Sequence, residues 1–152
     1  MVIITDRNGQ LCNRLFHFSY FIANSIEYGY ALRYPCFDQY CDFFEPTVTD
    51  DFLHLAVSTK ITPLRFLDRM ILRYLKSHRL PFPNMHFLDV SSHNAGTIYD
   101  LKNDSYQKLV HNKIVFSKGW MFRDEENLKK HREILKKVFT LLKHIYLKLN
   151  TS

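Results

Sequence analysis

The chain contains few cysteines, and their spacing argues against two common kinds of site. Its 152 residues include three cysteines, Cys12, Cys36 and Cys41, which are too few and too irregular for a disulfide framework. No Cys-x-x-Cys pair is present to suggest a structural zinc or a redox dithiol, and the eight histidines form no His-x-x-x-His pair with an acid at ligand spacing. The sequence therefore predicts no metal, and we expect a reducing cytoplasmic compartment.

Long apolar runs and the usual nucleotide-binding motifs are also missing. No stretch approaches the roughly 18 to 20 apolar residues that span a bilayer, and residues 1–6 lack the basic start and long apolar body of a signal peptide. The Gly-x-Ser-x-Gly elbow, the Walker loop and Gly-x-Gly-x-x-Gly are absent, which removes the simplest hydrolase, NTPase and dinucleotide-binding interpretations. A soluble protein, or one peripheral to the inner membrane, is expected.

The composition is that of one globular domain with an aromatic core. Hydrophobic residues make up 46% of the chain, charged residues 24%, and there are 13 Phe and 9 Tyr. The formal net charge of +6 favours an anionic partner and an ordinary solvated surface about equally, because the basic residues are spread along the chain. Nucleic-acid binding, which charge and aromatic content suggest, is the least favoured hypothesis.

The first 34 residues have the pattern of a strand, a loop, a helix and a second strand. Val2–Thr5 is a short β-branched run, and apolar residues recur at helical spacing from about Leu11 to Tyr28, before Gly29. The residues from Tyr30 to Tyr34 follow as a second strand. Two strands joined through a helix are parallel when they share a sheet, so an α/β fold with a parallel sheet is predicted.

Later elements are predicted from the same signals. Thr62 and Pro63 are typical of a helix start, and a helix extends from there to Ser77. Two more strands are predicted at Met85–Val90 and Lys113–Ser117, and after Asp124 the chain is predicted to be helical with few interruptions to about Leu149.

The loop from Asn8 to Arg14 is the first candidate site. Backbone N–H groups at a helix start lack intrahelical partners, and the helix dipole adds partial positive charge, so anions bind there. Gly9 permits an unusual backbone angle or close ligand approach, Asn13 can orient a phosphate or hydroxyl, and Arg14 offers a charged fork. The structural alternative is that Gly9 makes a tight turn, Asn13 caps the helix and Arg14 is solvated.

The first strand, this loop and the helix after it resemble the opening of the α-1,2-fucosyltransferase and related fucosyltransferase families. Those families have a strand, then Gly-Gly-x-x-Asn-Gln/Arg, then a helix with aromatic residues. Gly9, Asn13 and Arg14 match this pattern, whereas Gln10 and Cys12 replace residues that are often glycine and are expected to crowd the loop. The resemblance implies that Gly9, Asn13 and Arg14 face the phosphates of a nucleotide-sugar donor.

A second segment, Val115–Asp124, resembles the strand and aromatic turn that precede the last amino-terminal helix in bacterial members of the family. On that resemblance Trp120 and Phe122 form a wall for a sugar, and Arg123 lines the same cleft. The alternative is that both aromatic residues belong to the core and that Arg123 and Asp124 join the surface to a helix cap.

The resemblance implies the amino-terminal, Rossmann-like domain of a GT-B glycosyltransferase. Such an enzyme transfers a sugar from a nucleotide donor, GDP-fucose, to a glycan hydroxyl without a metal ion or other cofactor. In such enzymes a second domain supplies most of the nucleotide pocket and a His-x-Arg-x-x-Asp motif. Neither is found here, and His131-Arg132-Glu133 lies inside a predicted helix. We therefore assign residues 1–140 to that domain and 141–152 to a diverged or truncated helical tail, and expect activity to need a separate carboxy-terminal domain. A non-catalytic α/β interaction domain is the alternative.

Two further features leave their roles open. The helix from Pro63 carries Arg65, Arg69, Arg73 and Lys76 on one side and Leu64, Leu67, Ile71 and Leu75 on the other, which suits either peripheral contact with an anionic membrane or a solvated face. The acids nearest the first loop are Asp6, Asp38, Asp42 and Glu45, and the sequence does not select a base among them.

Overall fold

A parallel β-sheet forms the centre of the chain in a computed structural model, which describes residues 1–7, 9–77, 83–91 and 97–142. In chain order the elements are β1 (Val2–Ile4), α1 (Leu11–Tyr28), β2 (Leu32–Arg33), a 3-10 helix (Pro35–Phe43), α2 (Glu45–Thr49), β3 (Val57–Ser58), α3 (Arg65–Ser77), β4 (Met85–Asp89), β5 (Tyr99–Asp100), α4 (Asp104–Asn112), β6 (Ile114–Lys118), β7 (Phe122–Arg123), α5 (Glu125–Lys130) and α6 (Arg132–Val138).

The main sheet has five strands in the order β3-β2-β1-β6-β4, and every neighbouring pair is parallel. A short second sheet pairs β5 with β7, also in parallel. Helices flank the main sheet, so the predicted α/β class and its parallel sheet are confirmed, in an arrangement consistent with a Rossmann-like fold. Strand β1 is buried at all three positions, which explains its uninterrupted apolar sequence.

Helix α1 has the predicted bounds because both its apolar spacing and its terminus are strong signals. Gly29 follows Tyr28 in the left-handed conformation, with φ of 69°, and its amide donates to the carbonyl of Ser25. The helix buries Phe18 and Phe21 completely. The Phe18 ring contacts four aromatic rings, those of Tyr34, Phe37, Phe52 and Phe139. This aromatic cluster packs α1 against the segments that follow β2, α2 and α6.

The segment predicted to be helical with few interruptions from Asp124 to about Leu149 is helical, within the described residues, only to Val138. It has a break at His131, between α5 and α6. Leu141 then forms an antiparallel bridge with Phe44, and the Leu142 amide donates to the carbonyl of Phe43, so the backbone pairs with another segment instead of continuing the helix. Most of the predicted tail at 141–152 lies outside the described residues, which end at 142.

A buried polar network joins α1 to Tyr30, just before β2, and to the amino terminus of α5. Asn24 Nδ2 donates to Asp124 Oδ2 at 2.7 Å, and Asn24 Oδ1 accepts from the hydroxyl of Tyr30 at 2.7 Å. Asp124 also accepts from the backbone and side-chain amides of Asn127, at 3.1 and 2.8 Å. Because Asp124 and Asn24 are almost fully buried, these partners replace water for both groups.

Asn24→Leu is expected to lower the free energy of unfolding by about 3 kcal/mol, because the change leaves buried partners of Asn24 unsatisfied. Chemical denaturation of both proteins measures the difference. Asn112→Leu is the control: Asn112 is exposed and donates to the carbonyl of Lys108, and we expect a change below about 0.5 kcal/mol. Equal effects of the two substitutions would contradict the role given to the network.

Candidate functional site

The strand order places a topological switch between β1 and β6. The chain proceeds from β1 to β2 and β3 on one side, whereas β6 and β4 lie on the other side of β1. In open α/β sheets, ligands bind in the crevice outside the carboxyl ends of the strands at such a point. Here that crevice is bordered by Asp6, Gly9–Asn13 and Gly119–Trp120, which we call the switch edge.

Hydrogen bonds hold the two loops of the switch edge together. Thr5 donates from its amide and its hydroxyl to the carbonyl of Ser117, at 2.9 and 3.0 Å. The Gly119 amide donates to Asp6 Oδ2 at 3.0 Å. Of the four acids nearest the first loop, Asp6 is therefore the one that joins the loops after β1 and β6. Asp38 instead forms an ion pair with Arg7, with 2.9 Å between Arg7 Nη2 and Asp38 Oδ2.

The amino terminus of α1 opens onto the switch edge. Gln10 precedes the helix in an extended conformation and makes no side-chain cap hydrogen bond, and the first turn contains no acidic residue. Gly9, Gln10, Cys12 and Asn13 are all exposed. Gln10 and Cys12, which were expected to crowd the loop, both lie at the surface. The positive end of the helix dipole at this position favours an anion.

Gly9 and Asn13 are in contact across the loop. Gly9 has φ of 61°, a left-handed conformation that favours glycine. A Cβ atom added at Gly9 would lie 2.5 Å from Asn13 Nδ2, so the Asn13 amide covers the α-carbon of Gly9. The structure thus brings these two predicted site residues together on the exposed side of the loop.

Arg14 occupies the opposite side of the same loop. It is 5% exposed, and its guanidinium donates to Gly9 O at 3.1 Å, Cys36 O at 3.3 Å and Gln39 Oε1 at 3.1 Å. The guanidinium carbon also lies 4.8 Å from the centre of the Tyr40 ring. The side chain therefore ties the loop to the 3-10 helix, and its charge lies behind the loop. The structural alternative of a solvated Arg14 is therefore wrong, and the phosphate-facing role that the resemblance implies for Arg14 stays a prediction.

The three residues predicted to line a sugar cleft occupy different environments. Trp120 is 46% exposed at the switch edge. Phe122 is fully buried, and its ring contacts those of His17 and Phe21, which matches the alternative of a core aromatic residue. Arg123 is half-buried and donates to the carbonyls of Trp120 and Phe122, both at 2.7 Å.

Arg123 lies between two aromatic rings, one of which the sequence interpretation missed. Its guanidinium carbon is 4.8 Å from the centre of the Trp120 ring and 5.2 Å from that of Tyr20. Burial, and a hydrogen bond from its hydroxyl to Glu125, raise the pKa of Tyr20 to about 12, so the hydroxyl remains neutral. Tyr20 lies on the same face of α1 as Asn13 and Phe16, and this spacing was the signal that could have identified Tyr20 as a neighbour of the candidate site.

Arg123 also borders a cleft of about 600 Å³ beside α5. The cleft is lined by side chains of both charges together with one isoleucine, namely Ile98, Asp100, Lys102, Arg123, Asp124, Glu125, Glu126 and Lys129. Lys102 is paired with Glu126 at 2.7 Å, and acids outnumber bases in this cleft. An anionic ligand is therefore better suited to the switch edge.

Residues 1–7, 9–77, 83–91 and 97–142 contain neither a candidate metal site nor a membrane-spanning helix. Those residues hold no group of three or more His, Cys, Asp or Glu side chains arranged to bind a metal ion. In the same ranges, no helix has both the length and the apolar character needed to cross a bilayer.

The chain matches no protein-family model, no curated protein and no solved structure. Its function therefore has to be inferred from the geometry of the switch edge: an exposed helix amino terminus, a left-handed glycine under an asparagine amide, and exposed aromatic rings close by.

Proposed function

We propose that the chain is the amino-terminal domain of a fucosyltransferase-like GT-B glycosyltransferase, and that its switch edge binds the diphosphate of a nucleotide sugar such as GDP-fucose. The observation that carries the proposal is the exposed amino terminus of α1 at the switch between β1 and β6. Both the helix dipole and the topology favour a phosphate-bearing ligand at this one position.

The loop offers two kinds of interaction to a diphosphate. The helix dipole contributes partial positive charge, and the exposed Asn13 amide, which packs against the left-handed Gly9, can donate to a phosphate oxygen. On the buried side of the loop, the Arg14 guanidinium donates a hydrogen bond to the carbonyl oxygen of Gly9 and adds positive charge there. In the proposed reaction this arrangement stabilises the negative charge that develops on the leaving nucleotide.

The exposed aromatic residues support a site that is shared with another domain. Phe16 is 62% exposed and lies one turn of α1 beyond Asn13, and Trp120 is exposed at the same edge. Such rings can cover the face of a sugar or pack against a facing domain. We propose that this chain forms one wall of the site, and that a separate carboxy-terminal domain contacts the base and ribose while a glycan hydroxyl is the acceptor.

A non-catalytic interaction domain is the second candidate, and the same exposed Phe16 and Trp120 favour it. In that case the rings would contact a protein partner and the loop would have no phosphate ligand. The two candidates differ in whether nucleotide binds at α1.

Calorimetric titration with GDP and with GDP-fucose tests the proposal. We expect weak binding, with Kd of about 1 mM for both, because contacts to the phosphates alone supply about 4 kcal/mol. Gly9→Ala and Asn13→Ala should each weaken binding at least about fivefold, since a Cβ at Gly9 displaces the Asn13 amide and the second change removes that amide. Gly29→Ala is the matched control, because Gly29 also has positive φ but lies at the other end of α1, and it should leave Kd unchanged.

Two results would contradict the proposal, each in a different part. Micromolar binding of GDP-fucose would overturn the claim that the chain provides only one wall of the site. Absence of binding at about 10 mM GDP, or equal effects of Gly9→Ala and Gly29→Ala, would overturn the phosphate site and leave the interaction domain.

A further inference from the structure

The outer face of α3 exposes a row of large apolar side chains. Phe66, Met70 and Tyr74 follow one another at four-residue steps, and they are 53%, 61% and 51% exposed. Leu64, just before the helix, is 51% exposed. Monomeric soluble proteins rarely expose so many large apolar side chains together, and contiguous patches of this kind mark interaction surfaces.

The opposite face of α3 anchors the helix to the rest of the chain. Leu72 is buried there, and Leu67 and Ile71 are half-buried. Asp68 is also buried, and it accepts hydrogen bonds from the amides of Ile61 and Thr62, at 2.9 and 2.8 Å. The sequence interpretation placed the apolar side of the helix at Leu64, Leu67, Ile71 and Leu75. The second apolar row was not anticipated.

Basic residues border the exposed apolar row. Arg69 and Arg73 are exposed and lie at helical positions next to Phe66 and Met70. Asp68 is the one acid in the α3 sequence, and it is used in the hydrogen bonds to residues 61 and 62. The outer face therefore combines apolar side chains with positive charge, in a chain whose formal net charge is +6.

This combination fits an anionic lipid surface better than it fits other partners. Aromatic and thioether side chains insert at the boundary between headgroups and acyl chains, while arginines reach the phosphates of the headgroups. A nucleic acid would satisfy the arginines but would leave Phe66 and Met70 in water. An ordinary solvated face would leave the whole apolar row exposed.

We propose that the outer face of α3, comprising Phe66, Arg69, Met70, Arg73 and Tyr74, docks the chain on an anionic lipid bilayer. The helix lies along the membrane surface, with its buried Leu72 side directed toward the protein. This docking is independent of nucleotide binding at the switch edge, so either proposal can fail without the other.

Co-sedimentation with vesicles tests the docking surface. The full chain should bind vesicles of equal parts phosphatidylglycerol and phosphatidylcholine at least about tenfold more strongly than vesicles of phosphatidylcholine alone. Arg69→Glu should weaken binding to the anionic vesicles by about 25-fold, because a basic residue near such a surface contributes about fivefold and the introduced acid is repelled to a similar extent. Arg132→Glu makes the same change in net charge on the exposed surface of α6 and should alter binding less than about twofold.

The apolar part of the surface is tested separately. Phe66→Ala combined with Met70→Ala should weaken binding to the anionic vesicles at least about tenfold, since both side chains lose buried apolar area. Ile98→Ala is the control, because Ile98 is as exposed as Met70 but lies outside α3. Circular dichroism of each variant confirms that these surface changes leave the fold intact.

Three outcomes would overturn the proposal. The first is that the chain does not bind the anionic vesicles. The second is that Arg69→Glu and Arg132→Glu weaken vesicle binding equally, and the third is that the double alanine variant binds the vesicles as strongly as the original chain. Salt-sensitive binding of a single-stranded RNA that Arg69→Glu abolishes, without vesicle binding, would identify the face as a nucleic-acid surface instead.

Discussion

Gly119→Ala is expected to lower the free energy of unfolding by about 4 kcal/mol, through backbone strain and overpacking together. Gly119 follows β6 with φ of 101°, a conformation that side chains rarely adopt. A Cβ atom there would lie 2.7 Å from Val90 Cγ2 and 2.9 Å from the Ser91 amide nitrogen. Since backbone atoms on both sides are fixed by strand pairing, the loop after β6 would have to move, and with it the amide that donates to Asp6.

Gly29→Ala separates the two causes. Gly29 also has positive φ, but a Cβ atom there would meet nothing within 4 Å. The free energy of unfolding of this control variant should therefore fall by only about 1 kcal/mol, because of conformational strain alone. Denaturant unfolding of both variants measures the difference. If the free energies of unfolding lost by Gly119→Ala and by Gly29→Ala differ by less than about 1 kcal/mol, the loops after β4 and β6 are not closely packed at Gly119.

The stability of the chain is expected to fall by about 2 to 3 kcal/mol between pH 7 and pH 4.5 because of His17 alone. The His17 ring is buried and stacks on the ring of Phe21, with centroids 5.0 Å apart. Burial first, and the positive charge of Arg123 second, lower the pKa of His17 from 6.5 to about 3.

The direction of the effect follows from which state binds the proton. Above pH 6.5 His17 is neutral in both the folded and the unfolded chain, so its protonation does not lower the free energy of unfolding. Between pH 6.5 and pH 3 the unfolded chain takes up a proton that the folded chain excludes, and stability is lost as the pH falls through this window.

Denaturant unfolding at pH 7 and pH 4.5 measures this contribution by comparing the chain with His17→Phe. Between pH 7 and pH 4.5, the free energy of unfolding should fall by about 2 to 3 kcal/mol less in the variant than in the original chain. Phe21→Leu, which reduces the packing but retains His17, should keep the pH dependence. If His17→Phe has the same pH dependence as the original chain, His17 is protonated in the folded state.

The sequence predicted the elements whose local signals agree with their tertiary environment. The bounds of α1 follow from its apolar spacing and from Gly29, and the parallel pairing of β1 with β2 follows from the helix between them. The two-residue strands β3, β5 and β7 were missed because their pairing depends on segments distant in the chain. Helix α4 was also missed, although Asn103 caps its first turn and is a local signal of a helix start.

The candidate site was predictable in its backbone but not in its side-chain directions. A strand followed by a glycine-containing loop and a helix indicated an anion site, and Gly9 and Asn13 are exposed there. The burial of Arg14 could not be foreseen, because its partners Cys36 and Gln39 come from the 3-10 helix, about 25 residues later. The full burial of Phe122 likewise depends on rings from α1.

The measurement that tests the central claim most directly is the shift of backbone amide NMR signals during a GDP titration. If the switch edge binds the diphosphate, the largest shifts occur at Gln10–Asn13 and at Gly119–Trp120, and inorganic pyrophosphate reproduces those at Gln10–Asn13. The contradicting result is a set of shifts confined to the cleft residues Lys102, Glu126 and Lys129, or no shifts at about 10 mM GDP.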